Sequence, residues 1–200
     1  MDVDMAVRPL RDGEFLGRLK ALLLSPKRVW GPLAAEDSEP IGLYLRHVLP
    51  LAAIPPLAKL LGWSWFFGFI SFGTGAAAAA LSWGLSLAGV ALLALIAARL
   101  ARHFGGEERF DRALKLIAYA ATASWLGGVF RLVPILGILS LLANLYSVYL
   151  LYCGAPQLLA IPVERALPYS AAIVAAALAL YVACAALVTA LLGVGALGMT

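Results

Sequence analysis

Apolar positions fall into two patterns along the chain. From residue 13 to Leu24 the pattern is amphipathic. Phe15, Leu16, Leu19, Leu22 and Leu23 fill an arc of about 120° at 100° per residue, with Arg18 and Lys20 on its flanks and Glu14 behind. This spacing predicts a helix lying in a headgroup layer, its cations reaching for phosphates. The helix should stop at Ser25-Pro26, with Lys27, Arg28 and Trp30 following as an interfacial anchor. The second pattern is the long unbroken apolar run. Five such runs, at about 41–61, 77–98, 113–132, 134–153 and 169–197, are each near the ~20 residues needed to cross a bilayer, the last long enough to cross with a tilt. Pro50, Pro55 and Pro56 interrupt the first, which neighbouring helices can tolerate by satisfying the freed carbonyls. Residues 62–76 carry Trp63, Trp65, Phe66, Phe67, Phe69 and Phe72 among glycines, and are expected as an interfacial or shallow re-entrant segment. The predicted fold class is all-α. A cytoplasmic segment with the amphipathic helix (1–40) precedes a five-span polytopic bundle (41–200).

Composition agrees and narrows the class. Of 200 residues, 63% are hydrophobic and 13% charged, and the mean hydropathy is +0.93. A soluble domain carries about 25% charged residues, so this chain could not cover a water-facing surface. The excess of cations, net +4, sits beside the apolar runs, where it orients the chain and attracts anionic lipid rather than nucleic acid. With the N-terminus inside, eleven of the fifteen Lys and Arg residues fall on the cytoplasmic side, and Arg46 and Lys115 lie within reach of it. Only Lys59 and Arg131 remain outside, which predicts N-in, C-out. No cleavable signal peptide is expected, because the first forty residues carry thirteen charges and lack a continuous apolar core.

Candidate chemistry is sparse. No Asp or Glu falls within an expected span, which argues against a proton-driven transporter. Cys153 and Cys184 lack metal-site spacing, so no metal or cofactor is expected. Gly84-Leu-Ser86-Leu echoes an intramembrane serine nucleophile, but His47 and His103 lie at the opposite depth. Small-residue helix packing explains that stretch better, so no catalytic residue is assigned. Pro134 suits a first helical turn, so the third and fourth spans should form a tight antiparallel hairpin about Val133–Pro134. That fold point sets Lys115 level with Tyr152, Ala118 with Tyr149, and Thr122 and Ser124 with Asn144. Asn144 is then expected to bond across to Thr122 or Ser124 as structural glue, and Lys115 with Tyr119, Tyr149 and Tyr152 forms a candidate lipid-headgroup cluster. Arg46 and His47 are a second candidate for lipid or ligand contact in the kinked first span.

The chain resembles the Yip1 family in its bacterial form. The resemblance rests on Leu23-Leu-Ser-Pro-Lys-Arg-Val-Trp30, Leu49-Pro-Leu-Ala-Ala-Ile-Pro55, Phe104-Gly-Gly and Arg109-Phe-Asp-Arg-Ala-Leu-Lys-Leu-Ile-Ala-Tyr119. It continues through Ala121-Thr-Ala-Ser-Trp125, Ile135-Leu-Gly-Ile-Leu139 and Leu145-Tyr-Ser-Val-Tyr-Leu-Leu-Tyr152 to Gly154-Ala-Pro156, Pro162 and Arg165-Ala166. Ala123 departs from the pattern where a proline is expected before Ser-Trp, which implies a straighter third helix. The resemblance implies a five-span inner-membrane protein with a cytoplasmic N-terminus. Taken together, these readings predict a non-enzymatic protein for membrane organisation or a trafficking-like role. Its expected partners are membrane lipids, preferentially anionic on the cytoplasmic side, and a membrane protein or a second copy of itself. The alternative is a small transporter or channel built on Arg46 and His47.

Overall fold

Prolines and glycines punctuate the fold. In the computed structural model, which describes residues 15–36, 39–67 and 72–192, helix α1 (Phe15–Leu24) stops at Ser25. The residue ahead of a proline is pushed out of the helical region, and Ser25 has φ −143° and ψ 53°. Pro26 then opens α2 (Pro26–Ala35), where a missing N–H costs nothing. Helix α3 (Pro40–Leu43) runs through a wide π-helical turn at Tyr44–Val48 into α4 (Leu49–Phe67). That turn lies directly ahead of Pro50, whose ring would otherwise press on the carbonyl of Arg46 four residues back.

Helix α5 (Phe72–His103) has 32 residues and is therefore about 48 Å long, well beyond the ~30 Å of a hydrocarbon layer. Helix α6 (Phe110–Gly127) runs unbroken through Ala123. Two 3₁₀ turns, Gly128–Leu132 and Pro134–Leu136, lead to α7 (Gly137–Leu159), and α8 (Val163–Leu192) follows. Five stretches are long and apolar enough to span a membrane: Pro40–Gly62, Gly73–His103, Phe110–Leu132, Gly137–Leu159 and Val163–Leu192. The all-α, five-span fold is the one expected. Residues 62–67 and 72–76, expected as an interfacial or re-entrant segment, continue α4 and α5 as helix; residues 68–71 lie outside the described residues.

Helix α6 is the axis. It packs against α4, α5 and α7, and 72% of its most apolar stretch is buried, against 6% for α8. The α6–α7 pair is antiparallel as predicted, with the predicted register next to the turn and a departure of three to four residues farther along. Ser124 Oγ and Ser147 Oγ are 2.7 Å apart, and Ser140 Oγ donates to Gly127 O at 2.9 Å. The helices meet so closely at Gly127 that an added Cβ would stand 2.2 Å from Ala143 Cβ. The reason lies in the connection. The 3₁₀ turns between Gly128 and Leu136 rise about 2.0 Å per residue against about 1.5 Å in an α-helix. The facing positions drift along the pair: Ser140 against Gly127 keeps the spacing of a fold about Val133–Pro134, whereas Ser147 rather than Asn144 stands against Ser124.

Of the two ends of the bundle, the basal end carries α1, α2 and the connectors after α5 and α7. Its parts interlock. The Glu107 N–H donates to Leu159 O at 2.8 Å, and a Cβ on Gly106 would stand 2.5 Å from that same oxygen. Tyr169, fully buried, donates its hydroxyl to Ala97 O at 3.0 Å and takes the Phe104 ring edge-on at 5.7 Å. The apical end holds the 3₁₀ turns. There Gly62 abuts the backbone of Arg131 and Leu132, and Gly128 abuts Pro55. Helix α8 buries Ala166, Tyr169, Ser170 and Ile173 near its basal start and leaves Leu178, Tyr181, Val182, Leu187 and Leu191 exposed beyond them.

Candidate functional site

The basal collar of α1 and α2 gathers most of the candidate residues, and it corrects part of the sequence reading. Leu19 and Leu22 are buried, and Leu23 packs on the same core. Leu19, Leu22 and Leu23 of the arc therefore face the protein and not lipid, while the side chains of Phe15 and Leu16 lie outside those described; periodicity identifies an apolar partner without naming it. Trp30 is no interfacial anchor either. It is fully buried, seated where a Cβ on Gly154 would come within 2.9 Å of its ring. Its indole Nε1 is buried with no hydrogen-bond partner among the described residues. Lys20 and Arg28 point outward and are exposed, whereas the side chains of Arg18 and Lys27 lie outside those described.

Two donors from the hairpin hold the collar. Tyr146 Oη donates at 2.6 Å to Leu23 O, at the end of α1. Lys115 Nζ donates to Leu33 O at 3.4 Å and to Glu36 O. A cation here satisfies the orphan carbonyls and the negative dipole end of α2. Lys115 is only 5% exposed, so it is a structural clamp and does not present its charge to headgroups. The predicted cluster with Tyr119, Tyr149 and Tyr152 accordingly separates. Tyr149 and Tyr152 are exposed on the outer face of α7, with Tyr149 beside Tyr146 at 5.8 Å between rings. Tyr119 turns to His47, 4.7 Å away between ring centroids.

His47 sits in the wide turn of the first span and is buried. Its Nε2 is 2.8 Å from Thr122 Oγ1, and that hydroxyl donates its own proton to Ala118 O at 3.2 Å. The direction of the His47–Thr122 bond follows the tautomer of the ring. Arg46, one residue earlier, is exposed on the bundle surface. The two neighbours thus do different work. Thr122 bonds His47, Ser124 bonds Ser147, and Asn144 is exposed; the expected Asn144 contact is replaced by Ser147, three residues on, because of the register shift.

Further polar contacts escaped the sequence reading. Tyr44 Oη donates to Leu87 O, and Trp83 Nε1 donates to Leu49 O at 3.1 Å, linking α4 to α5. A tyrosine or tryptophan within a span must place its polar tip somewhere, which was the available signal. A cavity of about 330 Å³ also opens among α4, α5, α6 and α8 in the apical half, lined at one side by Lys59 and Arg131. Neither Arg46 nor His47 lines it. Around the basal connector, Arg109 pairs with Asp111 at 2.8 Å, Arg112 with Glu107 at 3.0 Å and Arg102 with Glu108 at 3.8 Å. Among the described residues, no group of three His, Cys, Asp or Glu side chains could hold a metal ion.

The end of α1, all of α2, the hairpin and the start of α8 fall within one stretch of family similarity, for the Yip1 domain model matches residues 20–185. The chain belongs to the Yip1 domain family. Two relatives of this Yip1-domain chain are the inner membrane protein YohC of Escherichia coli K12 and the protein of the same name from Escherichia coli O6:H1 strain CFT073. Each is 33% identical over 143 residues, which cover 66% of this chain and 73% of the relative. No solved structure matches it. The family match extends across α2 and α6–α7, so α2 and the hairpin that clamps it belong to the domain.

Proposed function

We propose that this Yip1-domain protein is a non-enzymatic organiser of the bacterial inner membrane. It sits with its basal end in the cytoplasm and its C-terminus outside, acting through anionic lipids and protein partners in an organising or trafficking-like role. One observation carries the reading. The collar buries Leu19, Leu22 and Trp30 against the bundle and leaves Lys20 and Arg28 exposed, on the same end as exposed Arg99 and Arg165. Each such cation near an anionic surface contributes about 1 kcal/mol of attraction. A collar fixed by Trp30, Tyr146 and Lys115 presents those charges as a preformed surface rather than an induced one. The close contacts at Gly127, Gly128 and Gly154 suit a packed scaffold. The wide turn suits structure as well, since His47 is engaged with Thr122 and Tyr119. His103 is exposed, its Nδ1 3.3 Å from Arg99 O, so no histidine faces Ser86 as a base.

The test is composition. Full-length protein extracted in mild detergent should carry phospholipid richer in anionic headgroups than the membrane it came from, together with reproducible partner proteins. Lys20→Gln with Arg28→Gln and Arg165→Gln should reduce the lipid enrichment. Bound lipid matching the bulk membrane would remove the lipid half of the proposal, and the absence of any reproducible partner would remove the other. Reporter fusions at Gly105 and at Thr200 should report opposite sides of the membrane.

A further inference from the structure

The apical cavity joins two features that the basal reading does not use. Its walls are apolar and small: Ala52 and Pro55 of α4, Ala78 and Gly89 of α5, and Ala177 and Ala185 of α8 are among them. The fully buried residues of α8 lie near its basal start, and beyond them its cavity-lining face includes the small residues Ala177 and Ala185. At about 330 Å³ the cavity is roughly twice the ~150 Å³ of an apolar cavity that accepts benzene. An unfilled space of that size forfeits dispersion contacts along every wall. In a hydrocarbon layer the abundant filler is an acyl chain.

The second feature is charge. Lys59 and Arg131 both line the cavity and both are half-buried. They are neighbours because α4 touches the 3₁₀ turn at Gly62, where a Cβ would stand 2.7 Å from Arg131 O. Neither forms an ion pair or a side-chain hydrogen bond with another described residue. Two cations held side by side against apolar walls repel one another and call for an anion. No Asp or Glu lines the cavity to supply it.

We infer that the apical cavity binds one anionic phospholipid, its phosphodiester bridging Lys59 and Arg131 and one acyl chain lying between α5 and α8. Arginine offers a planar fork and lysine a point charge, a pairing suited to phosphate oxygens. Free phosphate would answer the cations and leave the cavity empty. A neutral amphiphile would fill the cavity and leave the cations. A zwitterionic lipid would bring an ammonium group to a rim that holds two cations and no carboxylate. This site lies at the end opposite the collar and shares no residue with it, so it stands or falls separately from the basal lipid surface.

The experiment uses full-length, delipidated protein in mild detergent, examined by native mass spectrometry and thermal melting. Phosphatidylglycerol should bind one-to-one and raise the melting temperature above the shift given by phosphatidylcholine, and inorganic phosphate alone should give no shift. Lys59→Gln with Arg131→Gln should weaken phosphatidylglycerol retention about tenfold or more and erase its advantage over phosphatidylcholine. Gly89→Leu gives the independent check: Gly89 lines the cavity and a Cβ there meets nothing within 4 Å, so the larger side chain is aimed to occupy the space the acyl chain needs. That variant should melt at or above the wild-type temperature when lipid-free, yet lose the one-to-one lipid. A phosphatidylglycerol bearing a photoreactive acyl chain should label peptides of α5 or α8 in the wild type and not in Gly89→Leu. Lys20→Gln with Arg28→Gln should leave this labelling unchanged. Equal retention in the Lys59/Arg131 double variant, protection by phosphate alone, or labelling that persists in Gly89→Leu would each overturn the proposal.

Discussion

The two ends of this bundle solve the same problem in opposite ways. At the basal end, carbonyls at the ends of α1, α2 and α7 meet donors from Tyr146, Lys115 and the Glu107 N–H, and Tyr169 ties α8 to Ala97 within α5. At the apical end, α4 and the 3₁₀ turn pack backbone to backbone at Gly62, yet the rest opens into a cavity lined by two cations that have no ion-pair partner among the described residues. A buried lysine can therefore be structural or available within one protein. Lys115 and Lys59 differ in what lies within reach of the ammonium: helix-terminal carbonyls for one, an apolar wall and a second cation for the other. The lesson is that charge in a span is assigned by its neighbours and not by its depth.

The comparison breaks most sharply if the collar is released. Trp30→Ala removes the side chain seated on Gly154, and truncating a fully buried tryptophan costs about 3–5 kcal/mol. Its melting temperature in detergent should fall, and trypsin should cut after Lys27 or Arg28 far faster than in the wild type. Unchanged protection would mean that the collar is held by α1 alone.

The two lysines give the next contrast. Lys115→Met leaves the carbonyls of Leu33 and Glu36 without their cation and should cost about 1–3 kcal/mol. Lys59→Met, which keeps a similar length and removes a charge with no ion-pair partner among the described residues, should be neutral or stabilising in lipid-free detergent. Equal losses for both variants would erase the distinction drawn between the ends.

The smallest effect lies midway between the ends. Ser147→Ala should cost about 0.6 kcal/mol, the average worth of an interhelical hydrogen bond between spans, while Asn144→Ala should cost less because Asn144 is exposed. A larger loss for Asn144→Ala would restore the hairpin register expected from the sequence.

How legible all this was depends on the range of the interaction. Spans come from runs of about 20 apolar residues, a local property, so five helices could be read from the chain. The amphipathic arc of α1 was equally local, but whether it faced lipid or protein was not, because the core and a bilayer are both apolar. Trp30 shows the same limit. At a membrane edge a tryptophan suits the headgroup layer, and only the slot at Gly154, more than a hundred residues away, turns it inward. The hairpin was legible from Pro134, yet its register away from the turn was not, since the 3₁₀ turns change the rise per residue before α7 begins. Lys59 and Arg131 were read only as charges for orientation, and their proximity is a consequence of the contact at Gly62.

The uneven burial of the spans also bears on how the protein is made. Helix α6 is the most enclosed span, at 72% buried, with a hydropathy of only 1.3, whereas α8 has 2.5 and 6%. A segment that weakly apolar has little drive to leave the insertion channel alone, but α8 has ample. Because α7 follows α6 after a short connection, the pair can enter the bilayer as one hairpin, with Ser124 and Ser147 already matched. During synthesis α6 would then wait at the channel for α7, while α8 inserts unaided and docks last.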